Sequence, residues 1–173
     1  MFGTVGDSGA VQNLGVDGTV SGNVEVGGVV GENKLGTVTN CYNTGDVSGE
    51  AVGGVVGHND SGTVTNCYNT GDVIGSRYAG GVVGINTATV TNCYNTGTVN
   101  GSRYVGGVAG WDPGTVTNCY YLDTCGASGV GTSLTAEQFA QQDSFTDWDF
   151  DTIWQISDTL KRPILRSNPE NAS

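Results

Sequence analysis

A ten-residue block that returns at a fixed interval constrains this chain more than any other feature. Its clearest copy is GTVTNCYNTG at Gly62–Gly71, and close copies occupy Gly36–Gly45 and Ala88–Gly97. A shortened form, GTVTNCYY, occupies Gly114–Tyr121. The central cysteines recur every 26 residues, at Cys41, Cys67, Cys93 and Cys119. A constant period of this length is typical of stacked structural repeats, so the repeat outranks local secondary-structure propensity.

Each repeat contains three β-rich runs separated by Gly, Asn and Asp turn residues. In one copy they are the glycine-valine block Val52–Gly57, the Thr63–Thr65 block and the run that begins at Asp72–Val73. Length differs between repeats only at turns; for example, Ser76–Tyr78 is one residue longer than Glu50–Ala51. Three short strands in each coil of about 26 residues predict an all-β fold, a parallel β-solenoid (β-helix) whose coils are about 4.8 Å apart.

The repeat also predicts which side chains face the interior. We expect one valine column to consist of Val38, Val64, Val90 and Val116. A second column is expected to consist of Val47, Val73 and Val99, and one valine of each glycine-valine block would form a third. A ladder of asparagines at a bend is expected at Asn40, Asn66, Asn92 and Asn118. After that bend, alternation leaves open whether the cysteine or the tyrosine of the Asn-Cys-Tyr block points inward.

The charge and the apolar runs bear on the partners. The net charge is −11, with 17 acidic residues against 6 Lys and Arg, which argues against nucleic acid or an anionic membrane surface as a partner. We also expect no membrane insertion, because no apolar run reaches the roughly 18–20 residues of a membrane span. The start, Met1–Gly6, resembles the middle of a repeat. We therefore expect a fragment of a longer chain, with an export signal upstream.

The cysteines follow the repeat and do not resemble a disulfide framework. Because four of the five occupy equivalent places in successive coils, the pattern favours a ladder of buried thiols. Cys125 is the exception, six residues after Cys119. These two could close a small loop in an oxidising compartment, and the sequence leaves that pairing open.

The repeat pattern ends near Leu122, and we divide the chain there into solenoid repeats (residues 1–122) and a C-terminal cap and tail (residues 123–173). The second segment holds the helix signals, with Thr135 as a cap for a short helix over Ala136–Gln141. An open solenoid end exposes unpaired strand edges, so a cap is required. We predict that this segment is a small α+β cap.

The combination of GGVVG at Gly53–Gly57, GTVTNCYNTG at Gly62–Gly71 and the following Asp72–Val73 closely resembles the GLUG repeat. That repeat occurs in large bacterial surface proteins and adhesins, and outside the catalytic region of some immunoglobulin-A metallopeptidases. The resemblance covers about Phe2 to Leu122 and implies a scaffold. It supplies no catalytic residues, because the H-E-x-x-H zinc motif of the peptidases is absent and His58 is the only histidine.

The leading hypothesis is a structural and adhesive segment of a secreted or cell-surface bacterial protein. We expect it not to be an enzyme, to use no cofactor or metal, and to present its turns to a surface ligand, either a protein or a glycan. Arg77–Tyr78 and Arg103–Tyr104 recur on adjacent coils and could offer a strip for such a ligand, although we favour turns decorated with snorkelling side chains there. His58 is expected to be an exposed turn residue, because other copies have Glu32, Ile85 and Trp111 there.

Two alternatives remain. If each valine of the Thr-Val-Thr blocks faces inward, both threonines face out, and such arrays resemble the ice-binding face of β-solenoid antifreeze proteins. This candidate face consists of Thr37, Thr39, Thr63, Thr65, Thr89, Thr91, Thr115 and Thr117. The other alternative is a polysaccharide-active β-helix, since Asp46 and Asp72 would lie roughly 5 Å apart on adjacent coils. We favour solvated turn aspartates at these positions.

Overall fold

The computed structural model describes residues 1–170, which form a parallel β-solenoid. Equivalent strands of successive coils pair in parallel and in register, so that Val64 lies opposite both Val38 and Val90. The predicted fold class and the period of about 26 residues are therefore confirmed. Helix is confined to the C-terminal segment.

Four parallel sheets, A to D, run along the solenoid. Sheet A consists of Phe2–Val5, Val30–Lys34, Val56–Asp60, Val83–Asn86 and Ala109–Trp111. Sheet B consists of Ala10–Gln12, Thr37–Thr39, Thr63–Thr65, Thr89–Thr91 and Thr115–Thr117. Sheet C consists of Gly15–Val16, Tyr42–Asn43, Tyr68–Asn69, Tyr94–Asn95, Tyr120–Leu122 and Thr132–Leu134. Sheet D consists of Val20–Ser21, Glu25–Gly27, Val47–Gly53, Val73–Gly80, Val99–Gly101 and Tyr104–Gly106.

Each coil thus contributes to four sheets, and the prediction of three runs per repeat is wrong in this respect. The Thr-Val-Thr-Asn-Cys-Tyr block is split because its asparagine has a left-handed backbone, with φ of 53° at Asn66. Asparagine tolerates that region better than other non-glycine residues. The glycine-valine block is split as well, since Val52 and Gly53 end a sheet D strand while Val56 begins a sheet A strand.

The left-handed asparagine also settles the orientation that alternation left open. The four repeat cysteines are buried in the central core, together with the valines of sheets A and B. The tyrosines that follow them belong to a different cluster on the outer side of sheet C. We call this outer side the tyrosine face; its column consists of Tyr42, Tyr68, Tyr94 and Tyr120.

The predicted valine columns are largely buried, but they belong to two cores. Val38, Val64 and Val90 are inaccessible in the central core, and Val116 at the end of the array packs against it. Val47, Val73 and Val99 instead form a separate cluster with other residues of sheet D. The long strand Val47–Gly53 contributes two residues to this second core, Val47 and Val52.

Two hydrogen-bonded ladders of buried asparagines brace the coils, and the sequence analysis did not identify them. In the first, Asn33 donates to Asn59 and Asn59 to Asn86, each with an N–O distance of 2.9 Å. In the second, Asn43 donates to Asn69 at 2.8 Å and Asn69 to Asn95 at 2.9 Å. Their amides also donate to turn carbonyls, as Asn69 does to Gly71. These contacts satisfy polar groups that would otherwise be costly to bury.

The C-terminal segment contains the helix Ala136–Phe139, which Thr135 caps as predicted. A 3-10 turn at Gln142–Ser144 and an antiparallel hairpin of Trp154–Ile156 and Pro163–Leu165 follow. The parallel stacking itself continues past residue 122, since Thr132–Leu134 pairs with Tyr120–Leu122.

The first part of the segment covers the end of the solenoid, as we expected of a cap, since Val99 donates to the Cys125 carbonyl and Gly107 to that of Ser128. From Ala136 onward the segment instead lies along the tyrosine face, which we did not expect. Its apolar side chains pack against the tyrosine column, and they include Phe139, Phe145, Trp148, Phe150, Trp154 and Leu165. It extends back to the first coil, where Ser167 contacts Asn13. The stacked tyrosines form a large apolar surface that extends over four coils. The C-terminal segment packs there because no other part of residues 1–170 covers this surface.

Polar contacts also hold the C-terminal segment on the tyrosine face. The Tyr94 hydroxyl donates to the Pro163 carbonyl at 2.6 Å and accepts from Arg162 at 3.0 Å. Arg162 also forms an ion pair with Glu170 at 2.7 Å, and Glu170 accepts a hydrogen bond from Tyr68. The hydroxyls of Tyr68 and Tyr94 are therefore partnered although their rings are buried.

Candidate binding surfaces

Sheet B places the eight threonines of the Thr-Val-Thr blocks in two outward columns, which we call the threonine face. Each threonine lies opposite its counterpart on the next coil, as Thr63 does with Thr37 and Thr89, while the intervening valines point into the core. The two columns are therefore about 7 Å apart along the strand, and neighbouring coils are about 4.8 Å apart. Strand pairing and the buried valines hold the array, so its spacing is a property of the backbone.

The threonine face is not uniform. Its exposed members are Thr37, Thr89, Thr115 and Thr117, whereas the other four are half-buried. The first coil carries Ala10 and Gln12 at the register of the two columns. The regular array is thus four coils long within residues 1–170, and it offers hydroxyl and methyl groups without charge.

A second surface, the aromatic strip, lies where sheets A and D meet in the later coils. The rings of Tyr78 and Tyr104 stack with their centroids 5.1 Å apart, and Trp111 lies 6.4 Å from Tyr78. Arg77 and Arg103 lie over the tyrosine rings, 5.0 and 5.1 Å from the centroids. Trp111 is 43% exposed, which leaves an indole surface and two guanidinium groups open to a ligand.

His58 does not lie in a turn, so that expectation is wrong. It is part of the sheet A strand Val56–Asp60, directly opposite Glu32 of the previous coil. Its Nδ1 lies 3.0 Å from Glu25 Oε1. The strand was missed because His58-Asn59-Asp60 reads as turn sequence, whereas Asn59 is buried in an asparagine ladder.

Asp46 and Asp72 are exposed and occupy neighbouring coils, and each uses a carboxylate oxygen to hold the next coil. Asp46 accepts from the Asp72 amide at 3.1 Å, and Asp72 accepts from the Thr98 amide at the same distance. This arrangement stabilises the turn and fits the solvated turn aspartates that the sequence favoured.

All five cysteines are buried and free, so Cys119 and Cys125 are not paired. Each ladder thiol donates to the backbone carbonyl two residues earlier, as Cys67 does to Thr65 at 3.2 Å. Burial raises the pKa of the Cys93 and Cys125 thiols, which disfavours the reactive thiolate. The ladder therefore belongs to the core and offers no exposed nucleophile.

The helices within residues 1–170 are too short and polar to include a membrane-crossing span. The family model of the GLUG motif matches three consecutive segments, residues 22–48, 48–74 and 75–100. No curated protein and no solved structure matches the chain. Each matched segment contributes strands to all four sheets, with the same register from one coil to the next. Residues 22–100 of this chain are therefore an array of GLUG repeats, and the β-solenoid is the structure that this array forms.

Proposed function

We propose that this chain is a non-catalytic structural and adhesive segment of a secreted or cell-surface bacterial protein. The observation that carries the proposal is the in-register stacking of four sheets, which displays side chains in columns at fixed spacing. Such a scaffold tolerates an inserted residue, since the extra residue at Ser76–Arg77, which we expected in a turn, lies within the sheet D strand Val73–Gly80 and only shifts the register locally between Gly75 and Tyr78. Surface positions can therefore vary while the core repeats.

The aromatic strip is the surface that best suits a glycan ligand. An exposed indole packs against the apolar face of a sugar ring, and guanidinium groups donate to its hydroxyl or carboxylate groups. The strip combines Trp111 with Arg77 and Arg103 on adjacent coils. A flexible loop would pay more conformational entropy to present the same groups.

The test is binding of the purified protein to a panel of immobilised bacterial and host glycans. The key variant is Trp111→Ile, because Ile85 occupies the same register one coil earlier and shows that the fold accepts it. We expect wild type to bind a subset of glycans and Trp111→Ile to lose at least about tenfold in affinity, as for other aromatic hot spots. Thr37→Ser, on the threonine face, is the matched control and should bind as wild type does.

Two results would count against the proposal. One is a wild type that binds nothing on the panel or on intact cells, and the other is equal binding by Trp111→Ile. The non-catalytic part is tested separately by incubating the protein with the same polysaccharides and measuring new reducing ends. Release that disappears in Asp46→Asn or Asp72→Asn would favour the polysaccharide-active alternative.

Ice binding is a second candidate, favoured by the regular outward placement of the threonines. The measurement is ice-crystal shape and thermal hysteresis for wild type and for Thr65→Tyr, which places a bulky group in the middle of the array. Shaping by wild type but not by the variant would support ice binding. Unshaped ice at high wild-type concentration would eliminate it.

A further inference from the structure

We propose that Glu25, Glu32 and His58 form a binding site for a first-row divalent transition cation, with Zn²⁺ as the cation that their donors fit best. One ligand atom from each of the three side chains lies within 4.8 Å of those of the other two. The imidazole Nδ1 and Glu25 Oε1 are already 3.0 Å apart. Donors bound to one tetrahedral Zn²⁺ at its usual bond lengths are separated by about 3.4 Å, so small side-chain rotations would complete the site.

The backbone holds the three residues in place. His58 and Glu32 are direct neighbours in sheet A, on adjacent coils. Glu25 belongs to a sheet D strand that packs against sheet A without intervening side chains. A Cβ atom at Gly57 would lie 2.8 Å from the Glu25 carbonyl carbon, and one at Gly31 would lie 3.0 Å from its oxygen. Two glycines thus permit the close approach that brings Glu25 beside His58.

The charge balance of the cluster favours a cation. Among the ion pairs within residues 1–170, Glu25 pairs with His58, whereas Arg77 and Arg162 pair with other acids. No lysine or arginine of that part of the chain forms an ion pair with Glu32. Two carboxylates therefore meet one imidazole in a half-buried position, with side-chain exposures of 33% for Glu25 and 20% for His58. A divalent ion would neutralise both carboxylates.

The donor set selects the kind of ion. An imidazole nitrogen suits Zn²⁺, Cu²⁺ or Ni²⁺, and carboxylates are common additional ligands for zinc. Ca²⁺ requires 6–8 oxygen ligands, which two glutamates do not supply. Three protein ligands leave further coordination positions for water or for a group of a ligand. Because the ligands come from two coils, the ion would also link those coils.

Neighbouring coils show which substitutions the fold accepts at each ligand. Ala51 lies opposite Glu25 on the next coil, and Ile85 lies opposite His58 on the coil after that of His58. At the register of Glu32 the preceding coil has Thr4. The variants Glu25→Ala, His58→Ile and Glu32→Thr therefore each place in the site a residue that the solenoid already uses there. Glu50→Gln removes one exposed carboxylate outside the site and serves as the charge-matched control.

The experiment is calorimetric titration of tag-free protein with ZnCl₂, with CaCl₂ and MgCl₂ as comparison salts, together with thermal unfolding at each metal concentration. We expect one Zn²⁺ per chain, at least about tenfold weaker binding in each ligand variant, and wild-type binding in Glu50→Gln. Bound Zn²⁺ should raise the unfolding midpoint of wild type and not of His58→Ile. Ca²⁺ and Mg²⁺ should give no saturable signal.

A second readout separates this site from the thiols. Co²⁺ bound by Glu25, Glu32 and His58 gives weak visible bands without the intense near-ultraviolet band of thiolate coordination. An intense band would place the metal at cysteines and overturn the proposal. Two further results would also overturn it: no Zn²⁺ binding up to millimolar concentration, or equal affinity in wild type and all three ligand variants.

Discussion

The cysteine column and the tyrosine column are adjacent in the sequence, yet the molecule buries them by different means. Cys67 is covered by the neighbouring coils, because the residues around it belong to the same repeat. Tyr68 stacks on Tyr42 and Tyr94 at 4.9 and 5.0 Å, but its outer side is covered by the non-repeating C-terminal segment. A repeat can thus complete its own interior, whereas an apolar outer face requires a sequence that occurs once.

The sharpest test of this difference is a charge placed in the central core. Val64→Asp should destabilise the protein by several kcal/mol, because Val64 is inaccessible and a buried carboxylate there would have no partner. The measurement is urea unfolding followed by circular dichroism. Thr65→Asp, the next residue, is the control and should cost about 1 kcal/mol or less, since Thr65 is only half-buried. Equal losses would contradict the inward placement of the valine column.

Removing a fully buried tryptophan from the C-terminal segment that covers the tyrosine face should have the next largest effect. Trp154 is fully buried against Tyr68, Tyr94 and Trp148. Trp154→Ala should cost about 3–5 kcal/mol, as is typical for a buried aromatic residue. Because the repeats complete their own core, the β-structure signal of the solenoid should persist after the C-terminal segment detaches.

Trp111→Ala is the control for this experiment, since Trp111 is exposed and should change stability by about 0.5 kcal/mol or less. Two-probe unfolding, by tryptophan fluorescence and by circular dichroism, distinguishes the outcomes. A single coincident transition in Trp154→Ala would show that the two regions unfold together and would contradict their separation.

The features that could be predicted from the sequence are those built by the repeats. The period, the valine columns and the outward threonines follow from a repeat that every coil obeys. The orientation of Cys67 and Tyr68 did not follow, because the left-handed Asn66 resets the alternation of side chains. The buried ladders were missed since asparagine ordinarily marks a turn, and burial depends on stacking that a single coil does not show.

The position of the C-terminal segment was predicted only in part, for a related reason. Strand edges at the last coil predicted a cap, which residues 123–134 form. The packing of the later residues on the tyrosine column was not predicted, because the orientation of that column was open. Likewise, the cluster of Glu25, Glu32 and His58 joins residues from two coils and two sheets. Its members do not recur in other repeats, so the period that reveals the core gives no signal for it.

Alkaline pH should act on the tyrosine face. Burial raises the pKa of Tyr68 and Tyr94, so the folded state retains their protons more strongly than the unfolded chain does. Their contribution to stability is therefore present below the unfolded pKa of about 10 and is lost progressively as pH rises above it. The free energy of unfolding, measured between pH 8 and 11, should decline in that upper range. If the free energy of unfolding of Tyr94→Phe declines with pH as steeply as that of wild type, Tyr94 does not cause the decline.

At neutral pH, Tyr94→Phe should have a smaller effect. It removes the hydroxyl that donates to Pro163 and accepts from Arg162, while the ring remains. We expect a loss of about 1–3 kcal/mol, because the carbonyl and part of the guanidinium group lose a partner in a buried place. Urea unfolding measures the loss, and Tyr104→Phe on the aromatic strip is the control, expected to change little. No loss in Tyr94→Phe would show that the aromatic packing alone holds the segment.

The smallest effect is expected in the cysteine column itself. Cys67→Ala removes one sulfur atom from a core that neighbouring coils continue to fill, which should cost about 1 kcal/mol. Leu14 contributes an apolar group beside this core in the first coil, where the later repeats have cysteine. That substitution indicates a position that requires apolar volume and not a thiol.

Labelling with a thiol reagent tests the burial of the cysteine column, since Cys41, Cys67 and Cys93 are inaccessible and should react only as fast as the protein unfolds. Rapid labelling of all three in the native protein would mean that the coils open readily. The central core would then depend on the C-terminal segment as much as the tyrosine face does, and the contrast between the two columns would not hold.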